Sequence, residues 1–177
     1  MLAIEILGFT TPDERPLFVA ALLLHIAGGL TATVAGAMAA LSRKRPGRHP
    51  HAGIVFLAAV NVVALTATVM AVMRWSHNWH LFLIATVTVS LAWFGALARH
   101  RGGHRWRTWH GSAMGMSYIT LLTGFYVDNG ERLPLWDRLP PLSYWLIPAA
   151  VGVPLILLAL ARNQALPGRR RRTLTRP

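Results

Sequence analysis

The chain has 177 residues, 54% of them hydrophobic and only 14% charged, against roughly a quarter charged in a typical soluble domain. It has no cysteine, which excludes disulfides and thiolate chemistry, and its formal net charge is +12. Several apolar runs approach the roughly 20 residues that cross a bilayer as a helix. Together these imply an all-α polytopic membrane protein, a bundle of five transmembrane helices, and argue against a soluble enzyme.

Residues 1–15 form a short mixed segment whose acids Glu5, Asp13 and Glu14 replace the basic region of a signal peptide, so the first apolar span is expected to persist. That span covers about 17–41, with small residues Ala21, Gly28, Ala32 and Ala39 and with His25 on one stripe. The connector SRKRPGRHPH carries Arg43, Lys44, Arg45 and Arg48, and a second helix is expected over about 52–73, with Asn61, Thr66 and Thr68 as interior polar residues. The stretch RWSHNWH reads as an interfacial turn before a third helix at about 81–98. β-Branched residues enrich this third run, but without the alternation of a strand.

A second basic connector, RHRGGHRWRTW, leads to a fourth helix at about 109–127. Gly111 and Gly115 form a small-xxx-small pair there, the pattern that lets membrane helices approach closely. His110, Met114, Ser117 and Leu121 share one face of it. The Pro-rich NGERLPLWDRLPPLSYW is too broken to span, and the fifth helix, about 144–161, contains Pro148 and Pro154. Residues 163–177 form a basic tail.

Loop charge implies an orientation. The connectors after helices one and three each carry four Lys or Arg, whereas the connector after helix two has one and the connector after helix four has two, offset by Asp128, Glu131 and Asp137. With five crossings, the basic connectors and the tail fall on one side, expected to be cytoplasmic, and the N-terminus outside, in a bacterial plasma membrane. Basic residues in loops encode orientation and meet anionic headgroups, so the bilayer rather than nucleic acid is the expected partner, alongside a membrane protein or a second copy packed on Gly/Ala faces.

The residues H…G…(RK)P…H…HxG over Leu24 to Gly53, then SYITLLTGFYVDNG and LPLWDRLPP, resemble the bacterial membrane proteins grouped as domain of unknown function 2306. The resemblance runs from about His25 to Leu157 and implies a small multi-helix membrane domain. It brings no activity and no catalytic residues.

For chemistry, the six carboxylates all lie outside the expected spans, which weighs against an ion-coupled carrier and a carboxylate-metal hydrolase. His110 and Asp128 stand at opposite ends of one helix, roughly 27 Å apart. No nucleophilic triad and no phosphate loop can be built from the spacings, and enzyme status is left open. The eight histidines divide between the two sides. His25 with His80 on the outer side, and His51 with His110 on the inner, are the two pairs that could ligate b-type haem, since imidazole is a usual axial ligand. The leading expectation is a histidine-ligated electron-transfer protein. A copper or zinc site with Met114 as a soft ligand stays open. So do a non-enzymatic component that packs with a partner and a small-solute or lipid transporter lined by Asn61, Thr66, Thr68 and Ser117. His49, His100 and His104 are expected to sit in loops near lipid phosphates.

Overall fold

The structure, a computed structural model, describes residues 5–6, 9–10, 13, 15–44 and 46–162. The basic tail, with Arg45 and Glu14, therefore lies outside the described residues. The chain opens with a short antiparallel pair, β1 (Glu5–Ile6) and β2 (Phe9–Thr10), a small departure from the all-α expectation. Five helices follow: α1 Pro16–Leu41, α2 Arg48–Met73, α3 Trp75–Arg101, α4 Trp106–Asn129 and α5 Leu142–Arg162.

The helix limits have local causes. Pro16 starts α1 where a missing N–H costs nothing. Ser42 ends that helix, its hydroxyl and its backbone N–H both donating to the Met38 carbonyl. Gly47, at φ 113°, allows the turn into α2, and Gly102 and Gly103 (φ 66° and 95°) stop α3 and turn the chain toward α4. Two expectations change here. The stretch RWSHNWH is not a turn: only Arg74 separates α2 from α3, and the Trp and His residues belong to the first turns of α3. The first basic connector is also shorter than expected, because α2 begins at Arg48 and takes Pro50 into its first turn, where proline is tolerated.

Helices α1 to α4 close a four-membered ring in which α1 packs along α2, α2 along α3, α3 along α4, and α4 returns to touch α1. Helix α5 lies outside the ring and packs chiefly against α4. The centre is made of small side chains, Ala32, Ala35, Ala59 and Ala92, with Phe56 and Val60. Lipid is as apolar as leucine, so close van der Waals fit rather than hydrophobic transfer holds such helices together. Glycines provide that fit. A Cβ added to Gly111 would lie 2.8 Å from Leu160 Cδ2, one on Gly115 would lie 2.6 Å from Ile156, and one on Gly152 would collide with Ile119. The small-xxx-small pair thus receives α5.

Polar side chains inside the bundle cross between helices. Ser117 donates to the Thr88 carbonyl at 2.8 Å and Thr88 to the Thr120 hydroxyl at 3.0 Å, joining α4 to α3. Tyr118 donates from its hydroxyl to the Thr33 carbonyl at 3.1 Å, joining α4 to α1. Leucine, isoleucine and valine side chains such as Leu24, Leu30, Leu65 and Leu155 point outward.

Helices α1, α2, α3 and α5 are long and apolar enough to cross a membrane, which makes the chain a multi-pass helical membrane protein. Helix α4 does not reach that apolarity. Its composition follows from its place: with α1, α3 and α5 around it, its serine, threonine and glycine faces meet protein.

At the far end, two 3-10 turns (Gly130–Arg132 and Trp136–Arg138) bridge α4 to α5. Trp136 stacks on Tyr126 at 3.9 Å, and Tyr144 donates to the Trp136 carbonyl, folding this segment onto the helix ends. At the same end Arg15 pairs with Asp13 and donates to the Met73 carbonyl at 3.2 Å, tying the start of α1 to the end of α2.

Candidate functional site: a histidine pair at the basic end

The expected pair His25 and His80 is not brought together. The two residues sit on α1 and α3, diagonal members of the ring. The His25 Nδ1 lies 3.0 Å from the Thr66 hydroxyl, which itself donates to the Val62 carbonyl, so His25 locks α1 to α2. His80 stands edge-on to Trp79 and lines a cavity of about 400 Å³ between α3, α4 and α5, with Trp145 and Val127 opposite.

The inner pair is rearranged. His51 and His49 are two residues apart on α2, so their side chains leave the helix about 200° apart. The helix points His51 outward, exposed, with its Nδ1–H on the Gly47 carbonyl at 2.7 Å. It points His49 inward, half-buried, toward α4. The ring beside His110 is therefore that of His49, with centroids 6.3 Å apart and planes at 89°. The expectation that His49 is a lipid-facing loop residue is overturned.

Both rings are held the same way. His49 donates from Nδ1 to the Ala39 carbonyl at 2.9 Å, and His110 donates from Nδ1 to the Gly95 carbonyl at 2.8 Å. A carbonyl only accepts, so each Nδ1 carries the proton and each neutral ring keeps its lone pair on Nε2. A backbone carbonyl on the far nitrogen is how ligating histidines are commonly oriented. The Ala39 carbonyl is available because it belongs to the last turn of α1, where helical acceptors run out.

The surroundings are basic. The charges of Lys44 and Arg99 bear on both rings, and Trp106 lies 6.3 Å from the His110 ring. Lys44 donates to the Ala39 and Ala40 carbonyls. Gly95 receives Met114, whose Sδ would lie 3.0 Å from an added Cβ, so His110 and Met114 meet α3 at the same glycine. Among the described residues no group of three or more His, Cys, Asp or Glu comes together, so no closed zinc site of that kind is built there.

The polar residues proposed to line a solute path are each engaged. Asn61 donates to the Leu57 carbonyl and accepts from Trp93 Nε1, Thr68 donates to the Ala64 carbonyl, and Ser117 is fully buried on Thr88. Asn61, Thr66 and Ser117 thereby tie helices together, while the Thr68 hydroxyl bonds back within α2. His49 was missed in the sequence because the second helix was expected to start at about residue 52, whereas α2 starts at Arg48. No family model, curated protein or solved structure matches the chain.

Proposed function

We propose that this chain is a five-span protein of the bacterial plasma membrane, with its N-terminus outside, that binds a b-type haem through His49 and His110 for electron transfer. The observation that carries the reading is the matched setting of those two rings, each with Nδ1–H on a backbone carbonyl, which puts the lone pair of each neutral ring on Nε2. Ligand count favours haem over a bare ion. Haem iron takes one or two side-chain ligands from a protein, and His49 and His110 would be the residues that hold it here.

Helix α4 is the fifth crossing in this reading. Its 24 residues extend about 36 Å, more than the roughly 30 Å of the hydrocarbon core. It also runs back along α3 with protein on three sides. Of the described basic residues, Arg43, Lys44, Arg48, Arg99, Arg101, Arg105, Arg107 and Arg162 then share the cytoplasmic end with the site, while Arg15, Arg74, Arg132 and Arg138 share the other end with Asp13, Asp128, Glu131 and Asp137.

The test is an absorption spectrum of the full-length protein purified in mild detergent from haem-sufficient cells. A Soret band that sharpens and shifts on dithionite reduction is expected. His49→Ala or His110→Ala should each abolish most of it, with the double change adding little. His25→Ala, His51→Ala and His80→Ala should leave it in place. A colourless wild-type protein defeats the proposal.

A further inference from the structure

His51 and the outer face of α1 and α2 take no part in that site, and they form a groove with a chemistry of its own. The groove is a cavity of about 670 Å³ walled by Leu30, Val34, Met38 and Val55, and its mouth at the basic end is flanked by Arg48 and His51. Its character changes along its length, apolar for about two turns and then cationic. Gly47 stands at the mouth without a side chain, in a conformation glycine favours. Arg48 is exposed and has no ion pair among the described residues, and no described carboxylate lies at this end of the bundle. His51 is held at the rim by its Nδ1–H on the Gly47 carbonyl, which aims Nε2 outward.

We propose that this groove seats one anionic phospholipid, its phosphate on Arg48 and His51 and one acyl chain along α1 and α2. A cationic rim above an apolar slot complements a molecule that is anionic at one end and a hydrocarbon along the rest. Guanidinium pairs with phosphate through parallel N–H donors, and His51 stands beside Arg48 at the rim of the same slot. Basic pockets between membrane helices on the cytoplasmic side bind anionic headgroups on the same physical grounds. The site is separate from His49, which leaves α2 on the other side.

The experiment is native mass spectrometry of the full-length protein in mild detergent, titrated with phosphatidylglycerol or with phosphatidylcholine of the same acyl chains. One phosphatidylglycerol should be retained about tenfold more tightly than phosphatidylcholine. Arg48→Gln with His51→Gln should reduce that preference to near one. Thr31→Trp, an exposed position lining the slot, should weaken both lipids by closing the acyl path. Arg101→Gln with Arg105→Gln, basic residues away from the groove, should change the preference less than twofold. Equal retention of the two lipids by the wild-type protein overturns the proposal. So does an unchanged preference in the Arg48/His51 variant, or full displacement of the lipid by inorganic phosphate, which would mean that no acyl chain is held. Thermal unfolding of each variant, expected to match wild type because the altered side chains are exposed, separates lost binding from lost fold.

Discussion

Gly36 is where α1 and α4 meet, and replacing it tests how the ring of helices closes. A Cβ at this position would lie 2.5 Å from Tyr118 Cε2, closer still to Cδ2, and 3.1 Å from Phe56 Cδ2. Real Cβ atoms do not approach that closely, so Gly36→Ala must displace the Tyr118 ring. That ring is not a free side-chain end: its hydroxyl is fixed on the Thr33 carbonyl and its face lies 6.2 Å from the Phe56 ring. Overpacking of this kind costs about 1–3 kcal/mol. Losing the hydroxyl bond as the ring moves adds roughly 0.6 kcal/mol, so Gly36→Ala should destabilise the bundle by about 1.6–3.6 kcal/mol. The assay is reversible unfolding in mixed micelles, run as a double-mutant cycle with Tyr118→Ala. With the ring gone, Gly36→Ala should cost less than about 1 kcal/mol, because only the Phe56 contact remains. If Gly36→Ala costs the same with and without the tyrosine, the steric account is wrong and an effect on α1 itself is at work.

Three further outcomes are expected. Reporter fusions at Arg43 and at Arg105 should read as cytoplasmic and fusions at Trp75 and Glu131 as external; if the Arg105 and Glu131 fusions read alike, α4 does not cross. His25→Ala or Thr66→Val should each cost about 0.6 kcal/mol and at most about 1.7, measured by the same unfolding assay, and neither should alter the absorption spectrum. The Asp13 carboxyl is held at about 2, below its ordinary 3.8, by the Arg15 guanidinium and backbone N–H. Its contribution is therefore present above about pH 4 and lost as pH falls through about 2, and in Arg15→Gln a carbon-detected titration should return the midpoint toward 3.8.

The helical membrane architecture was legible because hydropathy over some 20 residues is a strong signal, and four of the five helices carry it. Helix α4 was legible differently, through Gly111, Gly115 and Ser117, which suit a helix walled by protein and now meet Leu160, Ile156 and Thr88. What could not be read was the side to which each histidine turns. That depends on where α2 starts, and apolarity marks the hydrocarbon rather than the helix: α2 extends back from Ala52 to Arg48 through charged and proline residues. A four-residue shift in the start brings His49 inside the helix, facing α4, and leaves His51 facing out. Pairings such as His25 with Thr66 are likewise set by the relative depth of two helices, which no single run of residues encodes.

The seam between α4 and α5 also determines how the last helix finds its place. Gly111 faces Leu160, Gly115 faces Ile156, and Ile119 faces Gly152, a knob against a notch at three successive turns. The order of knobs and notches reads differently in each direction, so it admits one alignment. Sliding α5 a turn one way would set Ile156 against Ile119, bulk against bulk. Sliding it a turn the other way would set Gly152 against Gly115 and leave a void. Helix α5, which packs chiefly against α4, is thus held to its depth by the seam, a turn's slide in either direction being penalised, rather than by the loop that tethers it.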